Sequence, residues 1–134
     1  MEGMEIARLN WEGLGTIAAL LFIIANAYYP ARVIAKNYTP WSKEVGMFFR
    51  NYLKVHILLN LLGLWAVLFH GHFSDENNII LQASIMVTVW LTTIGAFMYY
   101  RVPVLKIGHL RMLHSQQVTF FVWIALILIG HSML

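Results

Sequence analysis

The 134-residue sequence has no cysteine. A disulfide, a thiolate-bound metal, an iron–sulfur cluster and a haem attached through a Cys-x-x-Cys-His motif are therefore all excluded. Charge is scarce too: Asp, Glu, Lys and Arg make up 11% of the chain, against about 25% in ordinary soluble domains. No nucleotide-binding glycine motif is present. The N-terminus, with Glu2, Glu5, Arg8 and Glu12, lacks the basic segment and small-residue cleavage site of a secretory signal, so the first apolar run reads as a retained helix.

Apolar residues are what the chain has in abundance, at 60%, with a mean hydropathy of +0.68. Four runs are long enough to cross a hydrocarbon core of about 30 Å at about 1.5 Å per residue. They are 11–29, 52–72, 79–100 and 116–134. The predicted fold is an all-α, single-domain, four-helix transmembrane bundle running up-down-up-down. Arg32, Lys36, Lys43, Arg50, Lys54, Arg101, Lys106 and Arg111, eight of the nine basic residues, fall at the first and third connections. The positive-inside rule makes that side cytoplasmic, with both termini and the 73–78 turn outside. The expected location is the inner (plasma) membrane, in contact with its lipids. The net charge of +3 is explained by topology and anionic headgroups, so no nucleic-acid partner is expected.

Pro30, after Tyr28 and Tyr29, is expected to stop the first helix. Thr39-Pro40 reads as an N-cap with proline at the first helical position. A helix from Pro40 through Gly71 would be about 48 Å long, so its first turns project from the bilayer or break near Gly46. The polar run Ser74-Asp75-Glu76-Asn77-Asn78 makes the second and third spans neighbours. Pro103, just beyond Tyr99, Tyr100 and Arg101, breaks the third span. Glycines 13, 15, 63, 95 and 130 allow close helix approach. No internal repeat is evident.

Histidine carries the chemistry. His56 and His70 are fourteen residues apart in one apolar run, which places them about 40° apart in azimuth and about 21 Å apart along an α-helix. His114 and His131 lie at the two ends of the fourth run. In an up-down-up-down bundle His114 matches His56 in depth, and His131 matches His70. Two such pairs read as axial ligands for two stacked, non-covalent haems. Gly63, midway between His56 and His70, would leave room where two porphyrin edges approach. Arg50, Lys54, Lys106 and Arg111 lie at the inner level, where they can pair with propionates. The seventeen residues between His114 and His131 leave those two about 100° apart on an ideal helix, which a tilt or π-bulge must absorb. His72 faces away from His56, and His109 reads as a solvated loop residue.

The segment Tyr52-Leu-Lys-Val-His56-Ile-Leu-Leu-Asn-Leu-Leu-Gly63-Leu-Trp-Ala-Val-Leu-Phe-His70 resembles the ligand helices of b-type membrane cytochromes. These include the cytochrome b of quinol-oxidising complexes and ferric-reductase-like transmembrane domains. The stretch from Leu110-Arg-Met-Leu-His114 to His131 looks like the partner helix. The resemblance covers about half the chain. It implies a four-helix core holding two b haems by bis-histidine ligation and passing electrons between the membrane faces. Those families usually keep closely similar ligand spacings on both helices, whereas this chain has fourteen and seventeen. It also has no room for the flavin and nicotinamide domain of the reductases.

The leading expectation is therefore an electron-transfer protein or oxidoreductase subunit, working between a quinone pool or inner-side donor and an outer-side redox partner. Asn60, Trp65 and Trp90 are the residues that would line a quinone pocket. Homo- and hetero-oligomers are both compatible with the sequence. Two other readings stay open. In one the histidines line a proton or metal-ion path, which the near absence of intramembrane acids disfavours. In the other they only join helices in a cofactor-free anchor.

Overall fold

Stretches in which apolar residues cover every face of a helix have no polar side to turn to water, and that pattern belongs to membrane spans. The computed structural model describes residues 2–74, 78–103, 106–115 and 117–133, and these form six helices with no strand among them. The helices are α1 (Glu2–Asn26), α2 (Tyr28–Tyr38), α3 (Lys43–Phe73), α4 (Ile79–Tyr99), α5 (Ile107–His114) and α6 (Gln117–Ser132). Four stretches are long and apolar enough to span a bilayer: Gly13–Tyr38, Lys43–Phe73, Ile79–Tyr99 and Ile107–Ser132. The chain is thus a multi-pass membrane protein. It divides into two compact units, residues 1–70 and 71–134.

In the first unit α1 and α3 are antiparallel neighbours. Gly15 meets His70, Phe22 meets Gly63 and the end of α1 meets His56. Ala18, Phe22, Ala25, Phe49 and Ala66 are buried, and the small ones let the backbones come close. Ile17, Leu20, Ile23, Leu58 and Leu62 face outward, as side chains do that meet lipid.

Pro30 does not stop the first span. The helix breaks earlier, at Ala27, and resumes as α2 with Pro30 in its first turn, where a missing N–H costs no intrahelical bond. Ala27 N bonds Ile23 O at 3.0 Å before the bend and Ala31 N bonds Ala27 O at 3.1 Å after it, which leaves the carbonyls of Ile24 and Ala25 to side chains. Thr39 is not the N-cap of the next helix. Proline at 40 drives it into the extended region (φ −124°, ψ 137°), and it closes α2 by bonding Ala35 O at 2.9 Å. Helix α3 begins three residues later than expected, where Ser42 Oγ accepts from Val45 N at 3.3 Å. No break occurs at Gly46, whose N bonds Ser42 O at 3.0 Å. The 31 residues of α3 rise about 46 Å, more than a bilayer core.

In the second unit α4 runs antiparallel to α6. Asn78 caps α4, its Oδ1 accepting from Ile80 N at 2.9 Å and Leu81 N at 3.4 Å, while its Nδ2 donates to Gly130 O at 3.1 Å. One side chain thereby starts one helix and ties down another. The rest of the expected 74–78 turn, residues 75–77, lies outside the described residues.

Helix α4 closes before Pro103 is reached. Arg101 takes a left-handed conformation (φ 52°), with Tyr100 N on Ala96 O at 2.9 Å and Val102 N on Phe97 O at 3.1 Å, a Schellman ending with arginine where glycine is usual. Between α4 and α6 a buried polar ladder runs from Ser84 through Thr88 to Trp123. Thr88 Oγ1 donates to Ser84 O (2.8 Å) and accepts from Trp123 Nε1 (2.7 Å).

Helix α6 carries the run expected at 116–134, and the span-length stretch is extended to Ile107 by α5, with an interruption between the two helices. Ser115 ends α5, its N and Oγ both bonding Arg111 O, at 2.9 and 2.7 Å. Gln116 and Leu134, the expected ends of this span, lie outside the described residues.

Candidate functional site

Helix ends leave carbonyls without i+4 partners, and in a membrane those carbonyls must be satisfied by side chains. The last turn of α1 is served in this way. Asn26 Nδ2 donates to Phe22 O at 2.9 Å, Tyr52 Oη to Ile24 O at 2.8 Å, and His56 Nδ1 to Ala25 O at 2.8 Å. Tyr52 and His56 are one turn apart on α3, so a single helix face holds the end of α1. A carbonyl only accepts, so the proton of the His56 ring lies on Nδ1 and a lone pair is left on Nε2 when the ring is neutral. Tyr28 packs against the ring at 5.6 Å between centroids. Asn60, a turn further on, donates to His56 O at 2.8 Å and brings its Nδ2 within 3.3 Å of Nδ1 and 3.5 Å of Nε2.

His70 is half-buried against α1. A Cβ at position 15 would lie 3.0 Å from its Cε1, 3.1 Å from Nε2 and 3.2 Å from Nδ1, so the ring takes space that only glycine leaves open. Gly63 is buried between the two histidines, and the space above its Cα holds the Phe22 ring, 2.9–3.2 Å from where a Cβ would stand. The stripe His56–Gly63–His70 is thus one continuous contact with α1.

The second unit repeats the device. His114 Nδ1 donates to Leu91 O of α4 at 3.0 Å, and the ring lies over Gly95, where a Cβ would come within 2.9 Å of its Cε1. His131 is exposed on α6, its Nδ1 bonded to Ile127 O of its own helix at 2.9 Å. Since the helix breaks at Ser115, His114 and His131 stand on different segments, and the ideal-helix offset between them does not apply.

Arg50 and Lys54 are exposed on α3 within two turns of His56, and Lys106 and Arg111 are exposed at the start of the fourth span and on α5. His72 is exposed, its ring edge-on to Phe73 at 4.9 Å, and His109 is exposed on α5 rather than in a loop. Trp65 and Trp90 point outward, 59% and 54% exposed, and Asn60 is taken up with His56. Among the described residues no three His, Asp or Glu side chains converge as they would on a bare metal ion.

Several participants escaped sequence reasoning: the Ala25 and Leu91 carbonyls, Gly15 and Gly95 as ring seats, and Tyr52. Only Tyr52 carried a signal, its i,i+4 spacing from His56. No protein-family model, curated protein or solved structure matches the chain.

Proposed function

We propose that the protein is a di-haem membrane cytochrome b, a four-helix up-down-up-down bundle in the inner (plasma) membrane with both termini outside. In it His56, His70, His114 and His131 would be the axial ligands. The observation that supports this reading is the state of the imidazoles. The Nδ1 atoms of His56, His114 and His131 lie 2.8, 3.0 and 2.9 Å from main-chain carbonyls. Rings held in that way carry the proton on Nδ1 and have Nε2 as their acceptor nitrogen, the atom a metal would take, and a carbonyl in this position is the usual second partner of a ligating histidine.

The donor set fits a non-covalent b haem: imidazoles in apolar spans, no thiol, and cations exposed near His56 and His114. Such a group supplies one-electron redox chemistry when bound, and bis-histidine ligation favours electron transfer over oxygen binding. The protein's own part is to orient. Ala25 O and Leu91 O fix the rotation of the His56 and His114 rings, Gly15 and Gly95 seat the rings of His70 and His114, and Arg50, Lys54, Lys106 and Arg111 offer charge to propionates. Electrons would then pass between a quinone pool or inner-side donor and an outer-side redox protein.

A second reading, the cofactor-free anchor, is favoured by one specific observation: His56 and His114 each join two helices. The two readings part at Nε2. Haem content of the purified chain tests the first, with two b haems expected and none expected of an anchor.

A further inference from the structure

At the start of α3 an open hollow of about 360 Å³ is lined by Trp41, Ser42, Lys43, Gly46, Met47 and Arg50. Lys43, Gly46, Met47 and Arg50 fall at i, i+3, i+4 and i+7, so they share one helix face. Gly46 leaves the floor bare, and the indole Nε1 of Trp41 stands 3.6 Å from where a Cβ there would be. The indole is held by stacking on Phe49, with centroids 5.9 Å apart and planes at 11°. The lining thus carries an ammonium, a guanidinium and an indole N–H, and no carboxylate. Glu44, the nearby acid, does not line the hollow and is bonded by Ser42. Helix α3 is longer than a bilayer core, and the exposed Trp41, Met47 and Phe48 beside Lys43 and Arg50 give this turn the aromatic and basic character of the headgroup level.

We infer that this hollow binds the phosphate of an anionic phospholipid headgroup, with Lys43 and Arg50 on the phosphate oxygens and Trp41 Nε1 as a neutral third donor. Arginine and lysine are the usual phosphate partners, arginine through its forked donors. The volume suits a headgroup, and the acyl chains remain with the bilayer beside Met47 and Phe48. The site lies apart from the histidine rings, and its one shared residue is Arg50, which the haem reading also offers to a propionate; Lys43→Gln, outside that reading, tests the hollow by itself.

Native mass spectrometry of the full chain in non-ionic detergent tests it, with phosphatidylglycerol, phosphatidylcholine or inorganic phosphate added. One phosphatidylglycerol should be retained per hollow. Its affinity should fall about tenfold in Lys43→Gln and again in Arg50→Gln, and stay unchanged in Lys36→Gln, a cation on α2 outside the hollow. Circular dichroism checks that each variant keeps its helices. Equal losses in all three variants would reduce the effect to diffuse attraction and overturn the site. Equal retention of phosphatidylcholine would overturn its charge preference. Displacement of the lipid by millimolar inorganic phosphate would assign the hollow to a soluble anion and overturn the lipid.

Discussion

His56 donates its Nδ1 proton to the carbonyl of Ala25, 2.8 Å away on the neighbouring helix, and so serves the end of α1, with Nε2 left as the acceptor nitrogen of the ring. Structural and cofactor roles are therefore superposed on one ring. They can be separated by substitutions that keep one nitrogen and discard the other.

His56→Asn places an amide N–H near the position of Nδ1 without an equivalent of Nε2. It should keep the helical hairpin, with a melting temperature in detergent close to that of the parent, and lose one of two haems. His56→Ala should lose the same haem and also leave Ala25 O unpaired, at a cost of about 1–3 kcal/mol. If both variants keep full haem content, the ring only joins helices.

Gly15→Ala and Gly95→Ala should each press a methyl group into an imidazole, since the nearest ring atoms lie 3.0 and 2.9 Å from the added Cβ. Overpacking of this kind costs about 1–3 kcal/mol. Both variants should melt lower and bind less haem. Gly13→Ala, with nothing within 4 Å of its Cβ, is the control and should melt no lower than the parent.

Thr88→Val preserves shape and removes the acceptor of Trp123 Nε1, which lies 2.7 Å from Thr88 Oγ1 in a buried site. A loss of about 1–2 kcal/mol in detergent unfolding is expected. Thr88→Ser keeps the hydroxyl and should recover most of it.

Arg101→Gly removes a side chain from a left-handed position, φ 52°. The substitution should raise the stability of the α4 end by about 1 kcal/mol. Hydrogen exchange at Tyr100 and Val102, whose amides close the Schellman ending, reads the change locally. Faster exchange in the variant would refute it.

The apolar runs made the four spans legible, because a helix without a polar face has nowhere else to go. Their ends were less so. Pro30 was read as a stop, yet the first turn of α2 has no need of its N–H; Thr39 was read as a start, yet Pro40 holds it extended. The histidines were legible as a set with a common face from 56 to 70. Helical spacing says which residues share a face and not which neighbour that face meets. The partners that define the rings are carbonyls and glycines, Ala25, Leu91, Gly15 and Gly95, which leave no mark in a hydropathy pattern. The break at Ser115 was equally hidden, since serine in a membrane span can bond back to its own helix without ending it.

The decisive measurement is the dithionite-reduced minus oxidised optical spectrum of the purified full chain, with haem extracted and quantified against protein. Two low-spin b haems per chain are expected, falling to one in His56→Asn. A chain expressed with ample haem that shows no such bands would contradict the electron-carrier function and leave the histidines as ties between helices.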